Sequence, residues 1–202
     1  MIVIGITGPS GAGKSVVSRY LSSRGINVID ADAVYHDVIT PPSSCLDELV
    51  QYFGKGIISE NGNLNRQALS SLVFGEENCQ RLEALNKITH KYVVEDIRNT
   101  VSGFRALDLV ACVIDAPLLI EAGLCEDCDL VITVLADRDI RAKRISIRDG
   151  IDLDAAMRRI SSQKDDSFYV AASDAVIRND GDVFEVEEAI RSLLYERGVA
   201  LS

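Results

Sequence analysis

Residues 8–15 have the types and the spacing to hold a phosphate group: Gly8-Pro9-Ser10-Gly11-Ala12-Gly13-Lys14-Ser15 follows the pattern G-x-x-x-x-G-K-[ST]. Glycines let successive backbone N–H groups turn inward around an anion, and a helix starting near Lys14 adds the partial positive charge of its first turn. Without an anion, Lys14 would be a cation at the positive end of a helix, which is mildly unfavourable. The pattern therefore predicts that Lys14 reaches the β- and γ-phosphates of ATP and that the Ser15 hydroxyl ligates Mg²⁺. Two look-alikes fail. A dinucleotide fingerprint starting at Gly11 would need its third glycine at Val16, and Lys14-Ser15 fills the intervening pair. Asn86-Lys87-Ile88-Thr89 has the outline of a guanine-reading motif, but Thr89 lacks the carboxylate that would accept the guanine N–H groups.

Acidic residues supply the second half of a phosphoryl transfer. Asn27-Val28-Ile29-Asp30-Ala31-Asp32 ends an apolar run with two carboxylates, at the strand edge where ligands bind in open α/β sheets. Asp32 suits a base that accepts the proton of an attacking hydroxyl, and Asp30 suits a helix cap or a supporting group. Asp115 closes another apolar run, Val113-Ile114-Asp115. It either approaches Mg²⁺ through water or caps the chain locally, and the sequence leaves both open.

Positive charge gathers further on. Residues 138–164 carry Arg138, Arg141, Lys143, Arg144, Arg148, Arg158, Arg159 and Lys164 against Asp139, Asp149, Asp152 and Asp154. Arg141, Arg144 and Arg148 stand at i, i+3 and i+7, so they share one face of a helix. Guanidinium groups there could close over a triphosphate and stabilise charge spreading onto the γ-phosphoryl. A merely solvated basic face is the alternative.

These groups need a scaffold. Short, almost wholly apolar runs recur at Ile2 to Thr7, Ile26 to Ile29, Leu109 to Ile114, Leu130 to Leu135 and Ala175 to Ile177, which suits a parallel sheet covered on both faces. Helical spacing fills the gaps. Asp182 with Glu185 reads as a capping box, followed by Val183, Val186, Ala189, Ile190, Leu193 and Leu194 on one face. From Cys45 to Leu107 no strand is evident, while Leu46, Leu49, Val50 and Phe53, then Leu82, Leu85, Ile88 and Tyr92, keep helical spacing. Asp137 to Ala172 reads as two helices broken near Asp149-Gly150. The expectation is an α/β core with two helical insertions.

Composition limits the partners. A chain of 202 residues with 21 Lys+Arg and 31 Asp+Glu, net −10, is too acidic to bind nucleic acid generally. The start, Met1-Ile2-Val3-Ile4-Gly5, has no basic segment of a signal peptide, and Leu109 to Ile120 is too short and too interrupted to span a bilayer, so no membrane is expected. Five cysteines at irregular spacing suit a reducing cytoplasm. Cys125-Glu126-Asp127-Cys128 has no second pair or nearby histidine for zinc and reads as incidental thiols.

Taken in order, these residues resemble the dephospho-CoA kinase family over nearly the whole chain. The resemblance rests on Ile6-Thr7-Gly8 with the Gly11 to Ser15 cradle, Asp30-Ala31-Asp32, Phe53-Gly54, and Leu64-Asn65-Arg66 before Leu69 and Val73-Phe74. It continues through His90, Pro117-Leu118-Leu119 with Glu121, Arg144, Arg148-Asp149, Gln163 and Asp174 to Asn179. It implies a three-layer P-loop kinase fold with a five-stranded parallel sheet. The core would be 1–44, 108–136 and 173–202, the helical substrate-binding insertion 45–107 and the helical lid 137–172. It also implies ATP-dependent phosphorylation of the ribose 3′-hydroxyl of dephospho-CoA, by an expected monomer or weak oligomer with small-molecule partners only.

By position, the resemblance makes Lys14, Asp32, Arg144 and Arg148 catalytic and Ser15 the metal ligand. It assigns Gly8, Gly11, Ala12, Gly13, Lys14, Ser15, Val16, Arg144 and Asn179 to the nucleotide, with Asn179 near the adenine, and Thr7, Asp32, Arg66 and His90 to the acceptor. Three positions depart from the family. Lys91 follows His90 where proline is usual, which implies a changed start to the next helix. Asp166 and Tyr169 replace common basic residues, which implies a smaller contribution of that arm to phosphate binding. Competing readings are a nucleoside or nucleoside-monophosphate kinase and a non-catalytic ATP-binding module. The first would call for a more basic insertion than Lys55, Arg66, Arg81, Lys87, Lys91, Arg98 and Arg105 supply, and the second sits poorly with Lys14, Ser15, Asp32 and Arg144 together.

Overall fold

A computed structural model describes residues 1–75, 78–199 and 201. The chain divides into two compact units, Met1–Asp30 with Val101–Ser202, and Ala31–Thr100.

The first unit is built on β1 (Ile2–Thr7), followed by α1 (Lys14–Ser23) and β2 (Asn27–Asp30). The elements of the second unit come next: α2 (Ala31–Val38), α3 (Ser44–Phe53), α4 (Arg66–Val73) and most of α5 (Cys79–Ala106). The chain then completes the first unit with β3 (Ala111–Asp115), β4 (Leu130–Leu135), α6 (Arg138–Asp149), α7 (Leu153–Ser161), α8 (Asp166–Ala171), β5 (Ala175–Arg178) and α9 (Val183–Glu196). All strand pairings are parallel, in the order β2-β3-β1-β4-β5. Three strands match the expectation of burial on both faces: β1, β3 and β4 are almost wholly buried. The two edge strands differ, because each has a neighbour on one side only. Val176 of β5 is exposed, and only Ile29 of β2 is fully buried.

One apolar core joins the sheet to α1 and α9: Ile4, Ile6, Val113, Ile132 and Val134 meet Val17, Tyr20 and Leu21 on one helix and Val186, Ile190 and Leu194 on the other. Each such side chain contributes about 1.5–3 kcal/mol when fully buried. The buried stripe of α9 is thus narrower than its spacing suggests, since Val183 and Ala189 are exposed. Its cap also differs from a capping box, because the Asp182 carboxylate accepts from the N–H of Phe184. The segment expected to hold two helices holds three, α6, α7 and α8, with Gly150 left-handed at the first break (φ 65°). Asp137, Asp152 and Asp165 cap them through side-chain bonds to Asp139, Ala155 and Phe168 N–H groups, each such cap typically worth about 1 kcal/mol.

The second unit has its own core of Ile39, Cys45, Leu49, Ile57, Leu69, Val73 and Ile88. Tyr35 and Val38 of α2 pack against that cluster, and the compact unit runs from Ala31 to Thr100. It is also not wholly helical, because Ile58 and Leu64 form an antiparallel bridge. Lys91 starts no new helix. It lies inside the 28-residue α5, where its backbone N–H lets the helix run on as proline would not. Its side chain pairs with Glu48 at 2.9 Å, and the Tyr92 hydroxyl donates to the same carboxylate at 2.7 Å.

Candidate active site

The phosphate cradle is the turn between β1 and α1. Gly13 occupies the cap of α1 with φ 96° and has no side chain to offer its N–H groups, whereas Ser43 and Asn65 cap α3 and α4 with their side chains. Gly8, at φ 139°, approaches β4 so closely that a Cβ there would stand 2.2 Å from the Val134 carbonyl oxygen. At Gly13 a Cβ would meet the Asn179 amide nitrogen at 2.0 Å. Both contacts and both dihedral angles exclude any residue but glycine. Lys14 folds back over the loop, its Nζ donating to Gly8 O at 2.7 Å. Ser15 is exposed in the first turn of α1, and Val16 behind it is half-buried.

What surrounds the loop is a set of donors aimed at its carbonyls. Arg144 donates through Nη1 to Gly11 O and Ala12 O, at 3.4 and 3.3 Å, and through Nη2 to Asn179 Oδ1 at 3.3 Å. Asn179 is buried, and its Nδ2 donates to Ala12 O at 2.8 Å, so its amide grips the loop itself. Arg148 reaches Ser10 Oγ at 3.4 Å and forks onto Asp149, which holds the carboxyl of Asp149 below the usual carboxylate range; Arg159 pairs with the same carboxylate at 2.6 Å.

Arg141 behaves unlike its two helical neighbours. It is 5% exposed, and its Nε donates to Ser10 O at 3.0 Å while its Nη2 donates to Gln163 Oε1 at 3.0 Å. Gln163 Oε1 also accepts from the Ser10 N–H at 3.2 Å, so both backbone groups of Ser10 are held. Burial lowers the pKa of Arg141, and Asp166, 3.4 Å away, opposes that shift. Asp166, which departs from the basic residues common in the family, is here the counter-charge of a buried arginine. Its register gave a signal: Arg141 lies four residues before Ile145, which is fully buried on the inner face of α6.

The acids and acceptor candidates lie as follows. Asp115 ends β3 and accepts from the Ser18 hydroxyl on α1. Ser18 stands one helical turn after Lys14 on α1, a spacing visible in the sequence. Thr7 is buried at the end of β1, with Oγ1 3.5 Å from Pro117 O. Asp32 is exposed in the first turn of α2. Arg66 opens α4, exposed, with Nη2 2.9 Å from His36 Nδ1, and His90 is half-buried on α5. His36 was not singled out by sequence, though it stands four residues after Asp32.

Among the described residues no group of three or more His, Cys, Asp or Glu could hold a metal ion, and no helix is long and apolar enough to cross a membrane. None of the five cysteines forms a disulfide, and burial pushes the Cys128 thiol up to about 12.

Comparison with known proteins gives a consistent answer. The profile described as dephospho-CoA kinase matches residues 2–185. A dephospho-CoA kinase of Corynebacterium efficiens is 37% identical over 196 residues, covering 97% of each chain. A solved structure from Thermus thermophilus shares 29% identity with a TM-score of 0.78, over 96% of this chain and 97% of that one. The dephospho-CoA kinase structure from Campylobacter jejuni, 24% identical with a TM-score of 0.71 over 96% and 98% of the two chains, shares the fold. A match that spans the cradle, the arginine-bearing helix and the second unit alike makes the chain a member of the dephospho-CoA kinase family.

Proposed function

We propose that this chain transfers the γ-phosphoryl group of ATP to the ribose 3′-hydroxyl of dephospho-CoA, giving coenzyme A and ADP. The observation that carries this reading is the family match from residue 2 to residue 185.

In the reaction the acceptor oxygen forms a bond to the γ-phosphorus, the bond from that phosphorus to the β–γ bridging oxygen breaks, and ADP leaves with that oxygen. The acceptor proton goes to Asp32, one of the residues that open α2 beyond the end of β2. Lys14 and the backbone N–H groups of Gly11 to Ser15 hold the β- and γ-phosphates of ATP, with Val16 behind them. Arg144 and Arg148 stabilise negative charge as it spreads over the transferred group, the chemistry for which a planar guanidinium is suited. Because their present partners are mostly loop carbonyls and one carboxylate, both keep further N–H donors for a nucleotide. Asn179 serves the nucleotide by fixing the loop and Arg144 together.

Mg²⁺ fits this site as an ion held by few protein ligands. The Ser15 hydroxyl is the exposed one at the start of α1, and the remaining ligands of such an ion are substrate phosphate oxygens and water. It would neutralise negative charge on the phosphates as the γ-phosphoryl group is transferred. Asp115, engaged by Ser18, acts on α1 in the first instance. Thr7, Arg66 and His90 are assigned to the acceptor, residues 45–107 to its binding region and 137–172 to the lid.

The test is ADP release with ATP and Mg²⁺ against dephospho-CoA and a panel of nucleosides and nucleoside monophosphates. Turnover with dephospho-CoA well above the panel is expected. Preference for a nucleoside monophosphate would replace this reading with that of a nucleotide kinase, and no turnover with any acceptor would favour a binding module.

A further inference from the structure

A cleft of about 290 Å³ opens in the second unit, with polar groups from His36, Arg66, Thr40 and Asn63 and apolar ones from Ile39 and Leu64. That volume is near the lower end for ligand clefts, roughly 300–1,000 Å³. Two basic side chains meet at it, His36 Nδ1 and Arg66 Nη2 at 2.9 Å. A guanidinium only donates hydrogen bonds, so His36 accepts at Nδ1 and carries its proton on Nε2. The pair is set in place from both sides. Asn65 caps α4 by accepting from Ala68 N–H, which fixes Arg66 at the first helical position, and Thr40 Oγ1 donates to the His36 carbonyl at 2.7 Å. Asp32 precedes His36 by one turn of α2, so the two side chains share a face with Cβ atoms roughly 5–6 Å apart.

We propose that His36 and Arg66 together form an anion subsite for the pyrophosphate of the acceptor, one helical turn from the hydroxyl that Asp32 deprotonates. The proposal rests on the reaction given above. Its chemistry matches the spacing, because one ribose of dephospho-CoA carries both the 3′-hydroxyl and, through its 5′ carbon, the pyrophosphate. An enzyme for this acceptor has to recognise an anion close to its base, and Asp32 and Asp37 on the same helix would repel that anion unless cations offset them. Arg66 supplies the permanent charge. His36 orients the guanidinium and offers Nε2–H as a further donor.

The experiment is steady-state kinetics with each substrate varied, on the unsubstituted chain, His36→Leu, His36→Asn, Arg66→Leu and the His36→Leu/Arg66→Leu double variant. For His36→Leu, KM for dephospho-CoA should rise about tenfold, the effect of losing one good hydrogen bond to a charged group. Its kcat and its KM for ATP should stay within about twofold. His36→Asn places Oδ1 where Nδ1 stands and should recover most of the loss, and the double variant should be no more than about twofold worse than Arg66→Leu alone. An unchanged KM for dephospho-CoA, equal rises in both KM values, a fall in kcat alone, or an Asn variant as poor as the Leu variant would each overturn the subsite. Failure of the reaction itself shows earlier and differently, as no turnover of dephospho-CoA by the unsubstituted chain. Thermal melting of each variant accompanies the kinetics, and His36→Gln replaces His36→Leu if the latter does not fold.

Discussion

The phosphate cradle and the His36–Arg66 cleft both collect donors for an anion, yet they are built in opposite ways. In the cradle the donors belong to the backbone, and side chains far away in sequence, buried Arg141 and Asn179 and half-buried Gln163, hold that backbone still. At the cleft, two exposed side chains carry the recognition and only local caps orient them. A backbone site tolerates almost no added atom and loses its geometry as a whole, whereas a side-chain site can lose one group and keep the rest. Substitutions in the cradle should therefore act through ATP, and those at the cleft through the acceptor.

The sharpest test of that division is Asp32→Asn. Turnover should fall by about 10²–10⁴, the usual contribution of a positioned general base, while ATP affinity measured by calorimetry changes less than about twofold. Equal losses in both would make Asp32 a structural cap. Next in size, Gly13→Ala adds a Cβ 2.0 Å from the Asn179 amide at a left-handed backbone position. Displacing the cradle by about 1 Å should lower kcat/KM for ATP by about 10², while the affinity for dephospho-CoA alone is preserved. Arg141→Gln should raise KM for ATP about five- to tenfold without altering KM for dephospho-CoA, and lower Tm by about 4 °C or more, through release of Ser10 and loss of a buried partner for Asp166. A change in Tm with no change in either KM would show that Arg141 supports the lid and not the loop.

Two smaller effects bound the comparison. Cys128 is pushed up to about 12 by burial, so below that pH it stays a neutral thiol, and a thiol reagent at pH 8 should label exposed Cys79 and leave Cys128 intact. Labelling of Cys128 in the native chain would mean that the sheet beneath the cradle opens. Lys91→Ala removes an exposed ion pair with Glu48 and should leave both kcat and Tm unchanged within error, as surface pairs commonly do.

Cradle glycines, Lys14 and the apolar strands could be read directly because their causes are local. Positive φ demands glycine at the turn, and a parallel strand covered on both faces demands an unbroken apolar run. The same local logic located a basic helix between Asp137 and the break near Asp149-Gly150, and placed Arg141, Arg144 and Arg148 on one face of it. It could not divide their labour, since periodicity tells which residues share a face and not what lies opposite. Only the fold sets Ser10 and Gln163 against Arg141, and the Ala12 carbonyl and Asn179 against Arg144, across separations of 131 and 132 residues to the loop. Lys91 makes the same point, since a position where proline is usual implies a helix boundary, whereas Lys91 lies in the middle of α5. His36 went unread for the converse reason. Its spacing from Asp32 was visible, but a lone histidine acquires a role only when Arg66, thirty residues on, is brought to its Nδ1. Sequence thus determined where an anion could be held and by which kind of group, and tertiary structure decided which side chains build the site and which remain to meet the ligand.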